Sequence, residues 1–251
     1  MRFIALLSAV WGPLLWAGDY SKQVLADKPA LYFRFGQFEG SLIKPEVGGL
    51  EGVLAGNASI TEHGPRGKAY PDFAVKNAAL KLSGAGQFLR IKDPGAESIL
   101  DFAQGDSITM EAWVNPQTMG TYSYVIGKGR TGNPGQKADN QNYSLRLAKL
   151  GGTAGITFLF RDTKNSGDNS WHRWVSKSGF TLGGWHHVAI SYTFGKPETI
   201  RGYIDGEPVQ GVWDKGGPTD QAPWMDDDEL WIGAALGGQI GSTLIGGIDE
   251  V

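Results

Sequence analysis

The stretch Ser107-Ile108-Thr109-Met110-Glu111-Ala112-Trp113-Val114-Asn115 decides the fold class. Its apolar residues Ile108, Met110, Ala112 and Val114 recur at every second position, with Thr109, Glu111, Trp113 and Asn115 between them. Successive side chains of a strand point to opposite faces, so this pattern reads as a β-strand with one face in a core. The same period of two runs through Tyr143-Ser144-Leu145-Arg146-Leu147, Ile156-Thr157-Phe158-Leu159-Phe160 and His186-His187-Val188-Ala189-Ile190-Ser191-Tyr192. Clusters of Gly, Asn, Asp and Pro separate these runs, and no window sustains the 3.6-residue apolar spacing of a helix. In Arg201-Gly202-Tyr203-Ile204-Asp205-Gly206-Glu207-Pro208-Val209, the Asp205-Gly206 pair supplies the positive φ angles of a two-residue hairpin turn. Strands joined without helical crossovers predict two packed antiparallel sheets, an all-β sandwich.

Composition agrees with one all-β domain. The 251 residues include 38 Gly and 12 Pro, about one fifth together and short of the roughly 25–30% of low-complexity chains, and 41% of residues are apolar. The absence of Cys excludes a disulfide scaffold and thiolate metal sites. A net charge of −3 gives no overall attraction to nucleic acid or anionic lipid.

The chain opens with Met1-Arg2, an apolar run from Phe3 to Trp16, and the small residues Ala17-Gly18. A short positive start, an apolar stretch of this length and small residues for cleavage read as a signal peptide over residues 1–17. The run is too short to span a bilayer and Gly12-Pro13 interrupts it, so no membrane insertion is expected after cleavage. The protein is therefore expected to be exported to a periplasmic, cell-surface or extracellular location. Cleavage removes Arg2 and leaves a net charge of −4.

Five collinear segments carry a family resemblance. Gly184-Trp185-His186-His187-Val188-Ala189 followed by Tyr203-Ile204-Asp205-Gly206-Glu207-Pro208-Val209 resembles the signature of laminin-G-like domains of the concanavalin A-like lectin/glucanase superfamily. Ser107 to Val114 resembles the family's central strand, Gly246-Gly247-Ile248-Asp249-Glu250-Val251 its closing motif, and Val24 to Gly36 its opening strand. The resemblance covers about 230 residues and implies a two-sheet antiparallel jelly-roll β-sandwich over residues 20–251. The family's closing strand normally continues past its Ile-Asp-Glu-Val motif. The resemblance therefore implies a bacterial accessory module at the amino end of a longer protein, cut within its closing strand, with a downstream domain of the same chain as one partner.

Catalysis is not expected. The Glu-x-Asp-x-x-Glu strand shared by glucanases of this superfamily is missing, and Glu111 stands alone on its strand. The cluster Asp226-Asp227-Asp228-Glu229 reads as a solvated turn. Gly105-Asp106-Ser107 opens a strand and lacks the strand-to-helix elbow of an esterase nucleophile. His186 and His187 are adjacent on a strand and point apart, so they cannot chelate one ion together, and one of them is expected to pack beside Trp185.

Three segments combine aromatic rings with polar groups and read as loops: Thr121 to Asn142, Asp162 to Phe180 and Gly211 to Asp228. Sugar rings present apolar faces edged by hydroxyls, so Trp or Tyr platforms beside hydrogen-bonding side chains suit them. Trp171, Trp174, Arg173, Asp168, Asn169 and Tyr124 form the expected carbohydrate site, with Trp171 and Trp174 as stacking rings. The other use of such Trp residues is to fold back and cap the sandwich. The resemblance also implies one structural calcium ion, held by hard oxygen ligands from Asp249, main-chain carbonyls and Glu39. The expected function is a non-catalytic exported module binding a polysaccharide or glycoconjugate. A protein-docking module and a hydrolase with carboxylates from distant strands stay open as other readings.

Overall fold

The computed structural model describes residues 20–251, and the signal peptide expected over residues 1–17 lies outside them. A short helix, α1 (Tyr20–Ala26), comes first. The strands follow as β1 (Phe38–Glu39), β2 (Leu42–Ile43), β3 (Gly52–Ala55), β4 (Ser59–Thr61), β5 (Ala79–Leu82), β6 (Phe88–Ile91), β7 (Ser107–Thr118), β8 (Tyr122–Lys128) and β9 (Tyr143–Leu150). The second half adds β10 (Thr153–Arg161), β11 (Trp171–Phe180), β12 (His186–Thr193), β13 (Lys196–Ile204), β14 (Glu207–Val209), β15 (Gly211–Lys215), β16 (Leu230–Ile232) and β17 (Ile245–Asp249). One sheet has ten strands in the order β1-β2-β3-β6-β16-β8-β9-β10-β11-β15, and the other has seven in the order β14-β13-β12-β7-β17-β5-β4. This is the expected jelly-roll β-sandwich. Among the described residues no helix is long and apolar enough to cross a membrane.

The period-two pattern of β7 places Ile108, Met110, Ala112 and Val114 in the core. They meet Leu145, Leu147, Ile156, Phe158 and Phe160 of the ten-stranded sheet. Full burial of each such large side chain contributes about 1.5–3 kcal/mol relative to exposure. At the predicted hairpin, Ile204 pairs with Glu207, and Asp205 and Gly206 have φ of 52° and 80°, the left-handed conformation the two-residue turn requires. Trp113, on the other face of β7, is covered by rings of Tyr20, Tyr70 and Phe73.

Three expectations need correction. Val24–Ala26, read as part of an opening strand, is helical: Tyr20 stacks on Phe73 and Val24 is buried, and one amphipathic helix of seven residues is too short to show a helical period. Further along this segment, Phe33 and Val251 exchange two main-chain hydrogen bonds, so the opening segment and the closing motif do pair. The three aromatic segments read as loops contain β8, β11 and β15. Their apolar/polar alternation is masked because β8 buries residues on both faces and β11 carries Trp171 on one face and Trp174 on the other. His187 packs against Trp113 and not Trp185, while His186, on the opposite side, stacks near Phe180 and bonds Asp205.

Candidate functional site

Strand register brings a set of rings and guanidiniums onto the face of the ten-stranded sheet that points away from the core. Tyr124 of β8 pairs with Arg146 of β9, Arg146 with Thr157 of β10, Thr157 with Val175 of β11, and Val175 with Val212 of β15. Alternate positions of the same strands, Leu145, Leu147, Ile156 and Phe158, fill the core, so this row faces outward. Neighbouring rows add Tyr122 opposite Ala148, Arg173 opposite Leu159, and Trp171 opposite Arg161.

The rings and cations interleave. Tyr122 has the Arg146 and Arg173 guanidiniums 4.6 and 4.7 Å from its ring centroid. The Trp171 ring has Arg130 at 4.8 Å and Arg161 at 5.8 Å, and Trp224 has Lys137 at 4.1 Å and Arg161 at 5.3 Å. Such contacts contribute about 0.5–2 kcal/mol each, more where water is excluded. Arg173 donates two hydrogen bonds to Asp214, at 2.7 and 2.8 Å, and this pairing raises the guanidinium's pKa. Arg161 pairs with Asp139, and Lys215 with Asp168 at 2.9 Å. Beside Tyr122 the face opens into a cleft of about 500 Å³ lined also by Ala148, Val175 and Asp214.

The six expected carbohydrate residues divide. Trp171 and Arg173 lie on the outer face, half-buried, and Asp168 and Asn169 are exposed on the 3₁₀ turn Gly167–Ser170 that leads into β11. Trp174 does not belong with them. Three residues from Trp171 on one strand, it points the other way, is 4% exposed, and packs in the core against Gly202 and Gly211. Tyr124 is likewise buried, its hydroxyl donating to Gln141 Oε1 and accepting from Arg130 Nη1. It supports the face from below and offers no surface of its own. Sequence reasoning did not assign Arg130, Arg146 or Arg161 to the site. The signal was present at Arg146, a lone cation in the apolar strand Tyr143–Leu147.

The acidic stretch is not a solvated turn. Asp228 is buried and accepts from the Thr131 hydroxyl and from Asn133 and Asn140 side-chain amides, while Asp226 accepts from Asn140, Asn142 and Trp224 Nε1. These bonds tie the long connection after β8 to the one before β16. Lys128, also buried, is paired with Asp93 and Asp101.

Asp249 and Glu39 do not form the expected calcium pair. Glu39 is exposed on β1 at an edge of the ten-stranded sheet, and Asp249 is buried on a central strand of the other sheet. Both Asp249 oxygens already accept hydrogen bonds, Oδ2 from Asn77 Nδ2 at 2.6 Å and Oδ1 from the Glu250 N–H at 2.8 Å. Calcium takes six to eight oxygen ligands, and no group of three or more His, Cys, Asp or Glu side chains poised for a metal occurs among the described residues. Asp249 and Glu39 do not by themselves supply such a set. Burial, with the Glu250 charge, pushes the Asp249 pKa well above the usual carboxylate value.

Residues 84–251 match the family model Laminin_G_3, described as the concanavalin A-like lectin/glucanases superfamily. The chain belongs to the laminin-G-like family. Its fold is similar to the binding domain of Paraclostridial Mosquitocidal Protein 1 (TM-score 0.57, 13% identity, 88% of this chain and 47% of that one). It is also similar to Trypanosoma rangeli sialidase (TM-score 0.54, 16% identity, 88% and 29%) and to the receptor binding domain of botulinum neurotoxin D (TM-score 0.53, 15% identity, 88% and 47%). This laminin-G-like chain thus spans less than half the length of those solved chains, and at such identities the likeness establishes the shared fold. Among curated proteins none matches its sequence.

Proposed function

We propose that the protein is an exported, non-catalytic module that binds a polysaccharide or glycoconjugate on the outer face of its ten-stranded sheet. One observation carries this reading: half-buried Tyr122 and Trp171 are interleaved with Arg173, Arg130 and Arg146 on a sheet face that no second layer of strands covers. Rings beside hydrogen-bond donors match the alternating apolar faces and hydroxyl edges of sugars. The cleft next to Tyr122 falls within the roughly 300–1,000 Å³ of small-ligand sites. Binding, not hydrolysis, is favoured by the state of the carboxylates. Asp139, Asp168 and Asp214 are engaged by cations, and Glu111 lies on the other sheet beside His187. The amino-terminal apolar run supports export.

Affinity electrophoresis through gels of soluble neutral and acidic polysaccharides tests the proposal. Retardation of the wild-type chain, reduced in Tyr122→Ala and Trp171→Ala, is the expected result. Free migration through every gel would overturn it.

A further inference from the structure

We infer that Arg146 and Arg130, beside the Asp214-paired Arg173, form an oxyanion site that receives the carboxylate or sulfate of an acidic saccharide. This rests on the saccharide-binding reading above and names the ligand class.

Arg146 is 3% exposed at the middle of β9, yet among the described residues it forms no ion pair. Its Nη2 donates to the Thr157 hydroxyl at 3.0 Å, and its Nε is buried without a partner. Burial, with the neighbouring Arg173 and Arg130 charges, lowers its pKa below the usual guanidinium value. Arg130 repeats the pattern. It forms no ion pair among the described residues, its Nη1 reaches the Tyr124 hydroxyl, and its Nε is also buried and unpartnered. Four other cations are differently placed: Lys128 meets Asp93 and Asp101, Arg34 meets Glu250, Arg90 meets Glu229, and Arg161 meets Asp139.

An unpaired buried charge costs several kcal/mol, and a buried polar atom without a partner calls for a specific explanation. A ligand anion supplies one. The planar guanidinium fork matches carboxylate and sulfate oxygens geometrically, and its weak hydration lowers the desolvation cost of the contact. Tyr122, with the Arg146 and Arg173 guanidiniums 4.6 and 4.7 Å from its ring centroid, places a ring beside the anion, where the body of a sugar would lie. Asp214 is the opposing charge on the cleft, and its two hydrogen bonds with Arg173 neutralise it.

The test compares migration of the full chain through gels containing polygalacturonate, its methyl ester, dextran sulfate and dextran. Retardation by polygalacturonate or dextran sulfate, with none by the ester or dextran, is expected, and the two acidic arms distinguish a uronate from a sulfate ester. Arg146→Gln and Arg130→Gln should each weaken it at least tenfold. Since Arg146→Gln alters a buried position, thermal melts accompany both variants, and half-buried Arg130 carries the test if the other fails to fold. Equal retardation by polygalacturonate and its ester, or unchanged affinity in a folded Arg130→Gln, overturns the oxyanion site and leaves saccharide binding standing. No retardation by any of the four, nor by any gel of the wider neutral and acidic panel, overturns both.

Discussion

Trp171 and Trp174 lie three residues apart on β11 and face opposite sides of the ten-stranded sheet. Trp174 packs in the core against Gly202 and Gly211, and Trp171 sits outside with the Arg130 guanidinium 4.8 Å from its ring. Their alanine variants should therefore separate stability from binding. Trp174→Ala removes a large core side chain and is expected to cost about 3–5 kcal/mol in denaturant unfolding. Trp171→Ala should cost less, about 1–3 kcal/mol for its contacts with Arg130 and Arg161, while reducing retardation by the bound polysaccharide. Equal loss of stability in the two would show that both rings are structural.

Gly211 owes its identity to the same core Trp. A Cβ at this position would stand 2.1 Å from Trp174 Cζ2 and 2.6 Å from the Val175 carbonyl oxygen. The side-chain ring is wedged and the carbonyl belongs to a ladder, so neither can move freely. Gly211→Ala is expected to destabilise the fold by about 1–3 kcal/mol, the usual cost of overpacking. A thermal melt indistinguishable from wild type would show that β15 can shift outward.

The acid limb of stability should trace in part to Asp162. Burial alone would raise its pKa, but the Asn165 main-chain and side-chain N–H groups and His172 Nε2 outweigh that and hold it below the usual carboxylate value. A depressed folded-state pKa contributes stability above the unfolded value, about 3.9, that is lost as pH falls through the folded one. Unfolding free energy of the wild type should fall below about pH 4, and Asp162→Asn should show a flatter acid limb while being less stable at pH 7 by about 1.5–3 kcal/mol. Parallel curves for the two proteins below pH 4 would refute the assignment.

Lys128 is buried with Asp93 at 2.9 Å and Asp101 beside it, and its ammonium also donates to the Asp226 carbonyl. Removing one partner of a buried ion pair leaves the other charge uncompensated, at about 3–5 kcal/mol. Lys128→Met should show that loss, and the combined change with Asp93→Asn should recover part of it. Additive losses would place the two residues in separate interactions.

Asp249 already accepts N–H donors at both oxygens, so chelation has no ligand set to disturb there. Addition of EDTA is expected to leave the melting temperature unmoved. A calcium-reversible fall of several degrees would restore Asp249 as a metal ligand.

Legibility followed the range of the physics. The period of two in Ser107 to Asn115 and the Asp205-Gly206 turn are local facts, set by backbone geometry within a few residues, and the structure repeats them. β11 was not legible as a strand because Trp-His-Arg-Trp-Val-Ser has rings toward both sides, one set in the core and the other in the outer cluster, which erases the apolar/polar alternation. Asp226 and Asp228 looked like solvated charge for a related reason: their donors, Thr131, Asn133, Asn140 and Asn142, lie more than 80 residues away in sequence.

The sequence by itself determined the all-β class, the family and the strands whose two faces differ in polarity. Tertiary structure alone decided which face of β11 is core, that Trp171 and not Trp174 reaches the outer surface, and that buried Arg146 has no ion pair among the described residues. The physical reason is that alternation sorts side chains into two sets but gives neither set its environment. The environment comes from strands distant in the chain, and only their assembled register sets Arg146 beside Tyr124 and Thr157, where it forms no ion pair among the described residues.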